Sequence, residues 1–270
     1  MAEATPVWSP YVALLRSRLQ AQAAYRTGFA LDLLGNVGIG LLGFVEIYVI
    51  FTQVDALGGL TPSGALLVFA LANIGFSLAD LAVGHVDALP TFVRAGTLDA
   101  YLLRPLPALA QLVTSDVSLK RLGRTAVALV ALAVAVPVAV TSWTPAKVLL
   151  LVVTPLAGAA IFAALFVLAA ALQFWVLQGG ELANSITYGG AYAASYPASV
   201  LHVALRSFFT FVVPAAFTAY LPALVLVDQP GPPGLPSWLG WFSPLAALLV
   251  WAVALLTWRA GIRRYTGAGG

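Results

Sequence analysis

The chain has 270 residues, of which 61% are hydrophobic and only 9% charged, with 13 Lys and Arg against 10 Asp and Glu. That balance excludes an ordinary soluble domain, and no stretch is polar and long enough to form a second one. With no cysteine there is neither a disulfide framework nor thiol chemistry, and the modest positive charge fits contact with an anionic membrane face without invoking nucleic acid.

Residues 8–26 (WSPYVALLRSRLQAQAAYR) place Val12, Leu15 and Leu19 on one helical face and Arg16 and Arg26 away from it. This pattern predicts an amphipathic helix lying in the membrane interface. No cleavable leader is expected ahead of it. Six apolar runs follow, at 28–53, 61–84, 122–141, 148–177, 207–227 and 239–260. Each is near or above the ~20 residues that a bilayer-crossing helix needs.

Read with those boundaries, Arg16, Arg18, Arg26, Arg94, Arg104, Lys120, Arg121, Arg124, Arg206, Arg259, Arg263 and Arg264 fall on one side of the membrane, and only Lys147 on the other. The positive-inside rule then puts both termini in the cytoplasm. The expected fold is an all-α integral membrane protein, one domain of six transmembrane helices over 1–270.

The first run carries Asp32, Asn36, Glu46 and Gln53 on one stripe, and the second carries Asn73, Ser77, Asp80 and Gly84 on another. A charge near the bilayer centre costs at least ~2.5–3.5 kcal/mol, so such stripes face protein or water. They line a translocation route or a subunit seam, or else serve as hydrogen bonds that hold the bundle. Asn36, Glu46 and Asn73 are the leading path candidates.

The connection 86–121 is expected at the cytoplasmic face. Residues 91–103 mix apolar and charged positions at helical spacing, too polar to span. A second amphipathic piece, 107–121, sets Asp116 and Lys120 four residues apart. The connection 178–206 reads as a further cytoplasmic segment, or an inward extension of the fifth span. It holds a small-residue series at Ala191, Ser195 and Ser199 and a possible pair, Glu181 with Arg206. The fifth run is interrupted by Pro214 and Pro222, whose freed carbonyls are tolerated only beside protein or water. Thr210, Phe217 and Tyr220 share a face there, and with Pro214 they join the path candidates. Trp143, Trp238, Trp241 and Trp258 read as interfacial anchors.

Catalytic signatures are missing. His85 and His202 are the two histidines, and no paired-His metal motif or Gly-x-Ser-x-Gly occurs. Lys120 and Lys147 follow Leu119 and Ala146 rather than glycine, so a Walker A phosphate loop is not encoded. No catalytic residue, metal site or cofactor is expected in this chain.

The stretch 94–124, RAGTLDAYLLRPLPALAQLVTSDVSLKRLGR, contains Gly96, Leu98, Asp99, Leu102, Leu103, Arg104, Pro105 and Leu106 in the pattern Gly-x-Leu-Asp-x-x-Leu-Leu-Arg-Pro-Leu. It resembles the type-2 membrane permeases of bacterial ATP-binding-cassette exporters, in a six-span branch of similar length. A weaker match is the Pro-x-Ala-Phe…Tyr-x-Pro-Ala pattern at Pro214, Ala216, Phe217, Tyr220, Pro222 and Ala223. The resemblance implies a permease subunit of the bacterial inner membrane. It would bind two separate ATPase subunits, which hold ATP and Mg, and pair with a second permease, related rather than identical by a slight margin. It implies a coupling helix in the cytoplasmic connection, with Arg94, Gly96, Leu98, Asp99, Leu102, Leu103, Arg104 and Pro105 as the ATPase-coupling residues. The alternative on the residues alone is an ATP-independent channel or ion-coupled carrier that uses Glu46.

Overall fold

The computed structural model describes residues 26–176 and 180–267. The expected interfacial helix at 8–26 lies outside them but for its last residue. Every regular element among the described residues is helical. Five helices are long and apolar enough to cross a bilayer, and a sixth candidate is a bent pair; the protein is an integral membrane protein.

Helix α1 (Arg26–Phe51) is the least buried of the long helices. It packs on one side against α2 and α6 and leaves Leu31, Leu34, Leu42 and Tyr48 exposed. Helix α2 (Pro62–Val83) starts where the Thr61 hydroxyl accepts from the Gly64 amide and Pro62 occupies the first turn. It is the central helix, with Leu67, Val68, Ala70 and Leu71 fully buried.

A 3-10 turn (Gly84–Ala88) leads into three short helices, α3 (Leu89–Arg94), α4 (Thr97–Leu102) and α5 (Ala108–Thr114). Helix α6 (Leu122–Ala139) returns to the other end, and α7 (Pro145–Leu172) comes back, capped by Thr144. Helix α8 (Gly180–Ala194) follows, then α9 (Val203–Ser207), a π-turn (Phe208–Val212), a 3-10 turn (Ala215–Phe217), α10 (Tyr220–Leu226) and α11 (Ser243–Arg264).

Small residues set the crossings. A Cβ on Gly75 of α2 would meet the Gly158 backbone of α7 at 3.0 Å, and one on Gly158 would meet the Thr218 carbonyl at 3.2 Å. Without hydrophobic drive between helices in lipid, such close approach supplies the packing energy.

The two ends of the bundle differ in charge. One, the basic end, holds Lys120 paired with Asp32 at 3.1 Å and Arg121 paired with Asp80 at 2.6 Å. There too Phe174, after α7, packs on Trp258 and Tyr265 of the last helix and its tail. At the opposite end Lys147 reaches Asp228 at 2.6 Å and the Leu226 carbonyl at 3.1 Å.

This arrangement corrects several sequence expectations. The run 207–227 is not one crossing: its halves meet at a 72° bend beside Pro214, where the missing amide breaks the ladder. Ser199 before it donates to the Gly58 carbonyl in the α1–α2 connection, and Leu226 after it meets Lys147. The segment therefore dips into the bundle and returns to the same end. The passage between ends is made instead by α8, read from sequence as a segment at the basic end.

It follows that Arg206 sits with the opposite end. Glu181 and Arg206 flank a helix of about 22 Å and do not pair. The helix expected over 91–103 is two short ones, broken at Gly96, which adopts φ +65°; a residue with a Cβ is strained there. Nor does the second piece run on to Lys120. Helix α5 ends at Thr114, the Asp116 carboxylate accepts from the Val117 amide at 2.9 Å, and Lys120 pairs with Asp32. Finally, Trp258 is a core residue, 5% exposed.

Lys147 tests the packing at the opposite end. It is almost buried, and its ammonium donates to Ser142, Leu226 and Asp228. Lys147→Met is expected to cost roughly 1–2 kcal/mol, discounted because Asp228 is largely exposed. Hydrogen bonds from Lys147 and then Ser142 hold the Asp228 carboxyl below the ordinary aspartate range. Its contribution is thus full above that range and lost as pH falls through the lowered folded value. Asp228→Asn should lower the thermal midpoint at pH 7 and shift it progressively less in acid.

Candidate functional site: a polar groove between three helices

Helices α1 and α8 both lean on α2 but barely touch each other, which leaves a groove floored by α2. Three tyrosines at four-residue spacing on and just beyond α8, Tyr188, Tyr192 and Tyr196, line it. Toward the opposite end, the Glu46 carboxylate of α1 accepts from the Tyr192 hydroxyl at 2.7 Å and lies within hydrogen-bond reach of Tyr196. The two tyrosine rings are 5.2 Å apart. In mid-groove the Asn73 amide donates to the Phe69 carbonyl at 2.9 Å and to the Ser195 hydroxyl at 3.1 Å. Beside it a Cβ on Gly43 would meet the Phe69 ring at 2.8 Å, so α1 comes close there only because that position is glycine.

Toward the basic end, Tyr188 stacks edge-on against Phe76 and Phe166 and donates to Asp87 at 3.3 Å. Arg124 of α6 lies over the Phe76 ring at 5.5 Å. Between these groups is a cavity of about 240 Å³, lined by Asn73, Phe76, Arg124, Tyr188, Tyr192 and Ser195.

Of the expected path residues, the structure brings together Glu46 and Asn73. Asn36 is one helical stretch away, donating to the Asp32 carbonyl at 2.9 Å. Thr210, Pro214 and Phe217 line a different, almost wholly apolar pocket of about 300 Å³ between the dipping segment and α11. Its one hydroxyl is satisfied, since Thr210 donates to the Arg206 carbonyl at 2.7 Å. Tyr220 is buried in the core, with its hydroxyl near Ser199. The second-helix stripe also divides. Asn73 faces the groove, whereas Ser77 accepts from Thr125 at 2.8 Å, and Asp80 turns to Arg121. Ser77 is thus a bundle-holding hydrogen bond.

Sequence reasoning missed Arg124 and the three tyrosines. The tyrosine spacing was visible, but α8 is short and mildly polar, so it read as a surface segment. The small series Ala191, Ser195 and Ser199 was seen without its partners: Ala191 lines the cavity, Ser195 meets Asn73 and Ser199 meets Gly58.

The coupling candidates sit together at the basic end on a rigid base. Gln111, 2% exposed, donates to the Tyr101 and Leu106 carbonyls at 2.9 and 3.0 Å. His85 meets the Leu112 carbonyl, and Gln173 donates to the Asp87 carbonyl. Leu98 is fully buried, and Asp99 lies against Tyr265 of the tail, whose hydroxyl is pushed up to about 12 by burial and then by that carboxylate. Arg94 donates to the Pro90 carbonyl, and Arg104 lies over the Tyr101 ring. Beyond this base a tip projects: Leu102 is 44% exposed and Leu103 87%, with Arg104 and Pro105 beside them.

The family described as ABC-2 family transporter protein matches residues 37–269. The chain belongs to this family. It is therefore a multi-pass membrane component of an ATP-binding-cassette transporter, a permease that works with an ATPase subunit. The match takes in the groove and the projecting tip. No curated protein and no solved structure matches the chain.

Proposed function

We propose that the chain is the permease of a bacterial ATP-driven exporter and that the groove between α1, α2 and α8 is its half of the translocation path. The observation that carries this reading is a continuous run of polar side chains, from Glu46 through Asn73 and Ser195 to Tyr188 and Arg124, on an otherwise apolar bundle. Polar groups at that depth are retained where they meet protein, water or cargo.

A second permease, identical or related, would complete the path with its own groove. The basic end is cytoplasmic by the positive-inside rule, with both termini there. Six helices then cross the inner membrane: α1, α2, α6, α7, α8 and α11. The tip at 102–105 docks one of two separate ATPase subunits, which bind the ATP and Mg. Closure of those subunits moves α3–α5 as a lever, because Gln111 holds it together and His85 and Gln173 tie it to the bundle.

The ion-coupled carrier that uses Glu46 is less well supported, since two tyrosine hydroxyls already answer that carboxylate.

The natural absence of cysteine makes topology directly testable. Single cysteines at Leu103 and at Gln53 or Ser142 are to be labelled with a membrane-impermeant maleimide in intact cells. The reading expects labelling at 53 and 142 and none at 103 until the membrane is opened. Labelling of 103 in intact cells would reverse the orientation and remove the ATPase-docking role.

A further inference from the structure

The groove contains one cation with a buried nitrogen that no hydrogen bond reaches. Arg124 enters it from the first turn of α6, and its Nε is buried with no hydrogen-bond partner. The three ion pairs among the described residues use Lys120, Arg121 and Lys147. The acids around the groove have other partners, although the Asp80 charge also reaches Arg124. Asp80 holds Arg121 at 2.6 Å, and Asp87 accepts from Tyr188. Glu46 is higher in the groove and is met by Tyr192. A guanidinium drawn partly out of water is costly without an opposite charge, and the fork of N–H groups favours a carboxylate or phosphate.

The surroundings fit a headgroup. Asn73, Ser195, Tyr188 and Tyr192 bring an amide and hydroxyls to the same cavity, and Phe76 walls it on the side of the Arg124 stack. About 240 Å³ admits a phosphate-sized group with a few attached atoms and not a long chain. A long chain has a place alongside, on the exposed Leu34, Leu42 and Val45 face of α1.

We infer that the groove selects an anionic amphiphile, whose acidic headgroup pairs with Arg124 and is held by Asn73 and Ser195 while its apolar tail lies along α1. This rests on the groove being the transport path and names the class of cargo it admits.

The test uses the purified full chain in phosphatidylcholine nanodiscs, titrated calorimetrically with dodecyl phosphate, dodecylphosphocholine and inorganic phosphate, with protein-free discs subtracted. Dodecyl phosphate should bind at least about tenfold tighter than dodecylphosphocholine. Arg124→Gln should abolish that preference and Arg124→Lys keep most of it, a charge-assisted hydrogen bond being worth about that ratio. Arg259→Gln, exposed on α11, should change nothing. If Arg124→Gln does not fold, Asn73→Ala and Ser195→Ala should each weaken dodecyl phosphate about threefold.

Competition by inorganic phosphate would assign a water-borne anion, and its absence a membrane-borne one; both support the site. Equal binding of the two dodecyl compounds, or a preference that survives Arg124→Gln, overturns it. The readout needs no ATPase, so that result would leave the permease reading standing.

Discussion

Asp80→Ala is expected to destabilise the bundle by about 3 kcal/mol, as removal of one partner from a buried ion pair does. The Asp80 side chain is 8% exposed and Arg121 21%. Arg121 also donates to the Asp80 backbone carbonyl, so it clamps the end of α2 to the start of α6. The pair lies against Gly84, where an added Cβ would collide with both partners. Alanine at position 80 strands a guanidinium among apolar helices, and Arg121→Met strands a carboxylate.

The double substitution leaves neither charge. It should therefore cost less than the sum of the single changes by more than 1 kcal/mol. Thermal unfolding of the detergent-solubilised chain measures this. Single variants within ~0.5 kcal/mol of the parent would mean that water reaches the pair and that it contributes little.

Leu103→Asp should weaken ATPase docking by about 2 kcal/mol, roughly thirtyfold in affinity, with little effect on folding. Leu103 is the most exposed large apolar side chain on the chain's described surface, at 87%, and it stands at the end of α4 on a base that is hydrogen-bonded throughout. Nothing among the described residues covers it, so its substitution removes no packing there. A buried apolar anchor beside Arg104 is the type of group on which protein interfaces depend most. Gly96→Ala acts differently: it strains the φ +65° turn that aims α4, so it should lower coupling while docking persists. ATP hydrolysis by the assembled transporter, with and without cargo, separates the two. A Leu103→Asp chain that still recruits and stimulates its ATPase would move the docking face elsewhere.

Composition alone announced a helical membrane protein, because lipid leaves the backbone few alternatives. The motif around Gly96 falls where the chain makes a left-handed turn, with Leu98 buried and Leu102 and Leu103 exposed. Glu46 and Asn73 were legible as polar residues at membrane depth. What hydropathy could not show was the path of the chain after α7. Helix α8 is polar enough to resemble a surface segment, while the dipping segment is apolar enough to resemble a span, so the two exchanged roles. That exchange carried Arg206 to the wrong end and hid the tyrosine stripe. Arg124 was counted as one of many charges at a membrane face, because only three-dimensional placement reveals that its neighbours are already paired.

The central claim is that this permease works with a separate ATPase docked at the tip. Its most direct test is purification from native membranes under gentle extraction, with mass spectrometry of everything retained and a single cysteine at position 103 for crosslinking. The account predicts an ATP-binding-cassette ATPase in equal number to the permeases, crosslinked through position 103. A chain that purifies alone, with no ATPase even after crosslinking, and transports in liposomes without ATP would contradict it and turn attention to Glu46.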